Sequence, residues 1–239
     1  RNSNLSLASQ NLWLSHLRVF LYWCMEEELI KEFKIRLIKG QQQKIKYFTD
    51  DEVSKLLSHS KGCPFSEDRT YTIICFILST GARASTILNL KLEDLDFKSR
   101  TVTFTHLKNK STAIIPMSNS LYKVLQSYIS SWELNDYVFP NMQGNKLSLS
   151  ALETSLRRYC TDRDVKPRGP HSLRHSFARM YIKNGGDAFS LQQILTHSSM
   201  EMTRRYVSLF SDDLRASMNT YTPLDKLSPS NLRICRRGA

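Results

Sequence analysis

The chain has 239 residues, enough for one large domain or for a large and a small one. A hydrophobic content of 41% excludes a disordered chain, and 8 glycines with 7 prolines exclude a collagenous or linker-dominated class. Lys and Arg number 34 against 22 Asp and Glu, and the net charge of +12 biases the chain toward a polyanion: nucleic acid, an anionic lipid surface or an acidic protein.

Residues 11–25 carry Trp13, Leu17, Phe20, Leu21 and Cys24 at helical spacing. Ser15, His16 and Arg18 interrupt them, so no run of about 18 apolar residues is present to cross a membrane. A second short helix is expected over residues 29–38. Two helices cannot enclose a core, so residues 1–39 read as the tail of a domain whose first part is missing, and a start at Arg1 rather than Met fits a fragment. Residues 40–47 lose periodicity, turn polar and basic through Lys44 and Lys46, and read as a linker.

Thr49 with Glu52 three residues on predicts a capping box ahead of Val53, Leu56 and Leu57. Residues 69–80 read as a nearly all-apolar helix that Gly81 stops, and residues 84–90 as another. Phe97, residues 101–105 and residues 113–115 read as short β-branched strands, with Lys108 and Lys110 at a hairpin tip. Residues 120–132 form an amphipathic helix with Leu121, Val124, Leu125, Tyr128 and Ile129 inside, and Ser150 with Glu153 is expected to cap a helix reaching Cys160. Pro170 opens a helix through His171, Arg174 and His175 that ends near Asn184. Shorter helical pieces are expected over 191–195, 200–209 and 212–218. The fold class is therefore α+β, mainly helical, with one small antiparallel sheet. Five cysteines (Cys24, Cys63, Cys75, Cys160 and Cys235), odd in number and without a C-x-x-C pair, point to a reducing compartment rather than a disulfide framework or zinc ribbon.

Six polar residues stand out: Arg83, Lys108, His171, Arg174, His197 and Tyr206. Taken singly, each has an ordinary explanation. Arg83 and Lys108 would be solvated charges, His171 and His197 helix caps, Arg174 an exposed cation, and Tyr206 a core aromatic beside Met202 and Leu209. His171 and His175 are also spaced i, i+4, and with His197 they could be imagined as metal ligands. A zinc protease needs Glu directly after the first His, where this chain has Ser172, and Arg174 would set a fixed cation beside the metal.

Taken together, Thr80-Gly81-Ala82-Arg83, the hairpin Lys108, His171-x-x-Arg174-His175, Leu195-x-His197-Ser198-Ser199 and Tyr206 resemble the tyrosine recombinases, most closely integrases of phages and conjugative transposons. The resemblance runs over most of the chain from Phe48 and is most specific between His171 and Tyr206. It implies the tyrosine-recombinase catalytic fold over residues 48–225, the end of a core-binding domain over 1–39, and a C-terminal tail over 226–239. It also implies strand cleavage by a tyrosine hydroxyl that forms a phosphotyrosyl link, with no metal, ATP or other cofactor, in integration or excision of a mobile element. Tyr206 would be the nucleophile, Arg83 and Arg174 the phosphate-binding cations, His171 and His197 hydrogen-bond donors, and Lys108 the general acid. His171 would also help take the tyrosine proton. The implied partner is double-stranded DNA at element ends and target site, bound by a homodimer or tetramer, with an accessory directionality factor and no membrane. The implied place is the bacterial cytoplasm, at the nucleoid. Lys44, Lys46, Lys110 and Arg168 are candidates for DNA-phosphate contacts. Two positions depart from the family pattern: Thr86 stands where an acidic residue is usual, and Thr196, which turns less freely than glycine, stands where Gly is usual.

Three other readings share parts of this constellation. A type IB topoisomerase uses a similar residue set. A catalytically silent DNA-binding protein could keep the fold. A carboxylate–metal transposase would draw arbitrarily on residues such as Asp94, Asp96 and Asp162.

Overall fold

Thr49 and Glu52 exchange the two hydrogen bonds of a capping box. The Thr49 N–H donates to the Glu52 carboxylate at 2.8 Å, and the Glu52 N–H donates to Thr49 Oγ1 at 3.3 Å. They open the larger of two units into which the chain divides, residues 1–44 and 45–239. The structure, a computed structural model, describes residues 5–40, 45–58, 62–105, 112–196, Thr203 and Tyr206.

In the first unit, α1 (Leu7–Glu26) starts at Ser6, whose Oγ accepts from the Ser9 N–H. Most of its apolar side chains are exposed, Trp13 at 67% and Phe20 at 57%, while Cys24 is buried. The helix expected over residues 29–38 is not formed; after a bend at residues 29–30 that stretch carries no regular secondary structure. Glu28 takes a left-handed φ of 56°, which ends the helical turn, and the Asn11 amide then engages the backbone of Ile38 twice, donating to its carbonyl and accepting from its N–H, both at 2.9 Å. Phe33, Ile35 and Leu37 alternate with charged residues, a period of two that presents no continuous apolar helix face.

In the second unit, α2 (Asp50–Leu57) leads to α3 (Phe65–Thr80), which buries Ile73, Ile74, Phe76 and Ile77. A helix apolar on most faces belongs at the centre, and α3 packs against α2, α5 (Asn119–Ser131), α6 (Leu149–Thr161) and α7 (Pro170–Lys183). Between α3 and α5 lie α4 (Ala84–Leu88) and a three-stranded antiparallel sheet of β1 (Leu95–Asp96), β2 (Thr101–Phe104) and β3 (Ala113–Pro116), in that order. Leu95 pairs with Val102, and Val102 with Ile115, so these apolar side chains face the core. The final helix of this stretch, α8 (Ala188–Ile194), is capped by Asp187 and meets α7.

Three sequence expectations shift. The first strand is Leu95–Asp96 and not Phe97, because Asp96 Oδ1 accepts from the Lys98 and Ser99 N–H groups and turns the chain there. Ser148 caps α6 in place of Ser150, accepting from the Ala151 N–H. Helix α4 ends at Leu88, short of residue 90. The hairpin tip around Lys108 and Lys110 and the piece at 212–218 lie outside the described residues, as does the piece at 200–209 except for Thr203 and Tyr206, which are helical.

The larger unit is tied across long sequence separations. Ser176 Oγ on α7 accepts from the Phe48 N–H at 2.7 Å, and Tyr159 on α6 donates to the Leu56 carbonyl at 3.0 Å. Lys183 binds the Asp50 carboxylate and Arg179 reaches it at 2.6 Å, and these two cations hold the Asp50 pKa below its ordinary value.

Gly81 closes α3 with φ 63°, and a Cβ there would stand 2.5 Å from both Phe177 Cδ1 and Leu195 Cδ2. Backbone strain and overpacking act together, so Gly81→Ala should cost roughly 2–4 kcal/mol. A urea-unfolding midpoint equal to that of the unmodified protein would contradict the packing described.

Candidate active site

Helix α7 fixes the centre of the site. Pro170 occupies its first position after the cap Gly169, where its missing N–H costs no helical hydrogen bond. His171, Arg174 and His175 then follow at i, i+3 and i+4 and share a face, while Leu173 joins the main core and Phe177 a second apolar cluster with Ala178, Leu191, Leu195 and Tyr206. Arg174 is 3% exposed. Its Nη1 donates to the Gly81 carbonyl at 2.6 Å and its Nη2 to the Leu195 carbonyl at 2.8 Å. Burial first and Arg83 second push its pKa down to about 10, which leaves it a cation at neutral pH.

Arg83 follows Gly81 by two residues as the N-cap of α4. Its Nη1 donates to Thr196 Oγ1 at 3.0 Å, and its pKa is lowered by burial. Tyr206 acts on both guanidinium groups in the opposite sense, so the phenol sits within their field. The His171 ring is exposed, yet desolvation, then Arg174 and Arg83, hold its pKa below the usual histidine value. Among the described residues, neither arginine has a carboxylate partner; two adjacent cations left uncompensated inside a protein form a ready anion site.

Tyr206 is 5% exposed, and its hydroxyl lies 2.7 Å from His175 Nδ1. The His171 and His175 rings meet edge to face with centroids 4.4 Å apart. Desolvation, followed by His171 and Arg174, pulls the His175 pKa down to about 4, so the imidazole is neutral at pH 7. With its proton on Nε2, its Nδ1 accepts from the Tyr206 hydroxyl.

The structure thus brings together Arg83, His171, Arg174 and Tyr206. Lys108, His197, Lys44 and Lys110 lie outside the described residues. Lys46 is exposed. Arg168 is already engaged: it pairs with Glu52 at 2.8 Å and lies 4.8 Å from the Phe48 ring centroid. Two residues that sequence reasoning did not assign to the site belong to it, His175 and Thr196. The signal for His175 was its place one position after Arg174 on the same face. For Thr196 no local signal pointed to Arg83, 113 residues away. Among the described residues, no group of three His, Cys, Asp or Glu converges that could hold a metal ion.

Residues 46–212 match the phage integrase family. The chain belongs to that family. Its enzyme class is that of the tyrosine site-specific recombinases. It is 28% identical over 228 residues to the tyrosine recombinase XerC of Bacillus pumilus (strain SAFR-032), across 88% of this chain and 73% of that protein. It is 26% identical over 228 residues to the putative integrase/recombinase y4eF of Sinorhizobium fredii (strain NBRC 101917 / NGR234), across 95% and 89% of the two. In three dimensions it resembles XerA recombinase with a TM-score of 0.62 at 28% identity, across 91% of this chain and 77% of that one. The Tn1549 transposon integrase, in complex with a circular intermediate DNA, shares the fold with a TM-score of 0.77 at 21% identity, across 91% and 80%. Among the described residues, no helix is long and apolar enough to cross a membrane.

The depressed pKa of His175 has a consequence for stability. Its value lies near 4 when folded against 6.5 as a free side chain. Between these values the unfolded chain binds a proton that the folded protein refuses. Stability is therefore full above about pH 6.5 and falls as the pH drops toward 4. The urea midpoint should drop between neutral pH and pH 5, and by less in His175→Gln. An equal drop in both proteins would contradict this assignment.

Proposed function

We propose that this recombinase cleaves and rejoins duplex DNA through a covalent phosphotyrosine, with Tyr206 as nucleophile. The observation that carries the reading is the convergence on one phenol of a neutral imidazole at 2.7 Å and two guanidinium groups that lack carboxylate partners among the described residues. A tyrosine hydroxyl has an ordinary pKa of about 10 and needs both a proton acceptor and a cationic field to attack at neutral pH.

In the proposed step, Tyr206 Oη attacks the scissile phosphorus in line. The new P–O(Tyr) bond forms as the bond to a deoxyribose oxygen breaks. Negative charge on the non-bridging oxygens is met by Arg83 and Arg174, whose forked donors suit two oxygens each. His171, opening to solvent beside both arginines, donates to the same phosphate, with His197 as a further donor. The phenol proton passes to a neutral imidazole, and His175 is better placed for it than His171. Lys108 protonates the departing deoxyribose oxygen. A hydroxyl from a second strand then reverses the step, so neither ATP nor a metal is required for the exchange.

The broader assignment follows the same reading. Residues 48–225 form the catalytic domain, 1–39 the end of a core-binding domain, 40–47 a linker and 226–239 a tail. The substrates are element ends and a target site, held by a tetramer through exchange of the segment after Tyr206, with a directionality factor setting the outcome. Lys44, Lys46 and Lys110 contact DNA phosphates; Arg168, engaged by Glu52, contributes less. The relatives named recombinases and integrases, and the DNA held by the Tn1549 integrase, support DNA as the partner.

The test is a pool of nicked duplexes with randomised sequence around the nick, incubated with the full chain in EDTA. Covalent adducts are isolated on a denaturing gel and sequenced. The reading predicts an enriched sequence, an adduct that Tyr206→Phe cannot form, and DNA binding by that variant within about threefold of the unmodified protein, since phosphate contacts and not the nucleophile supply affinity. An adduct that persists in Tyr206→Phe, or one that requires a divalent metal, would overturn it.

A further inference from the structure

We propose that Thr196 is a positioning residue for Arg83, holding that guanidinium toward the phosphate site through its hydroxyl at the cost of a strained backbone. The proposal rests on the reading of Arg83 as a phosphate-binding cation. Thr196 adopts φ 49°, the left-handed region that a β-branched side chain rarely enters. Such a conformation persists only where the surroundings fix it, and strain of this kind gathers at functional sites.

The surroundings here are identifiable. Leu195 closes α8, is fully buried, and its carbonyl accepts from Arg174 Nη2 at 2.8 Å. The Thr196 N–H then donates to the Gln193 carbonyl at 3.0 Å. With the backbone held at the Leu195 carbonyl and at its own N–H, the Thr196 side chain meets Arg83, and Oγ1 accepts from Nη1 at 3.0 Å. Relaxing the backbone to an ordinary φ would take the hydroxyl away from that nitrogen.

The chemical nature of the acceptor matters. A carboxylate beside Arg83 would orient the guanidinium but also neutralise its field at the phosphate. A hydroxyl orients it and leaves the full positive charge. Thr86, in the first turn of α4 and 5% exposed, is neutral as well. Thr196 also joins the two arginines into one unit, because the loop that Arg174 anchors is the loop that holds Arg83.

Three substitutions in the full chain separate these roles. Thr196→Gly accepts the left-handed backbone without strain and removes the hydroxyl. Thr196→Ser keeps the hydroxyl, and Thr196→Val removes it while retaining the branch. With the nicked duplex selected from the randomised pool, Thr196→Gly should raise the urea midpoint yet slow adduct formation at saturating DNA by about 10- to 100-fold, with Kd for DNA changed less than about threefold. Thr196→Ser should cleave within about threefold of the unmodified protein, and Thr196→Val should be slow. In nitrogen-15 NMR the Arg83 Nε–Hε signal, assigned by its loss in Arg83→Lys, should move in Thr196→Gly and stay in Thr196→Ser. An unmoved Arg83 signal or an unchanged cleavage rate in Thr196→Gly would overturn the proposal. A moved signal in a protein that forms no Tyr206 adduct would retain the Thr196–Arg83 contact and overturn the reading of the site instead.

Discussion

A guanidinium on a residue with 3% of its surface exposed must find its hydrogen-bond partners inside the protein or not be there at all. Arg174 finds them at two helix ends. Gly81 follows the last residue of α3, and Leu195 follows the last residue of α8. The carbonyls at a helix C-terminus lack intrahelical donors and carry partial negative charge, so a buried cation placed there satisfies them while they compensate it. Arg174 therefore links three separate stretches of chain: its own helix α7, the turn that leads to Arg83, and the loop that carries Thr196. Arg83, Thr196 and the apolar pocket around Tyr206 all hang on those stretches.

The same linkage explains why the site tolerates so much unneutralised charge. Neither arginine has a carboxylate partner among the described residues, and the nearby imidazoles are pushed toward their neutral forms. Dipoles and hydroxyls orient the cations without cancelling them, which is the preorganisation that the proposed cleavage step calls for. Elsewhere the surface behaves in the opposite way. Arg168 pairs with Glu52, Arg163 with Glu67, and Arg179 and Lys183 with Asp50, so much of the positive charge in these parts of the fold is already matched. A net charge alone gives no indication of which cations are spare.

What was legible in the sequence was local or strongly patterned. The Thr49–Glu52 box, the apolar helix stopped by Gly81, and the Pro170 start are set by neighbours a few residues apart, and each occurs where the pattern puts it. The order of Arg83, His171, Arg174 and Tyr206 could be read only through a family resemblance, since nothing local links residues so far apart. Residues 29–38 misled because the Asn11 amide, 27 residues before Ile38, binds that residue's backbone N–H and carbonyl, a contact no local pattern announces. Ser150 misled because a second serine, Ser148, competes two positions earlier and wins the cap. In the sequence, His175 is a motif residue without an assigned role and Thr196 a departure from the family pattern. Their roles come from contacts made across 31 and 113 residues of sequence.

Whether the buried Arg174 organises the two loops around the site can be read by native-state hydrogen exchange on Arg174→Met, which keeps the length of the side chain and removes its donors. Exchange should be faster at Gly81 and Ala82 and at Leu195 and Thr196 together, with α5 and α6 unchanged. Protection at both loops equal to that of the unmodified protein would contradict it.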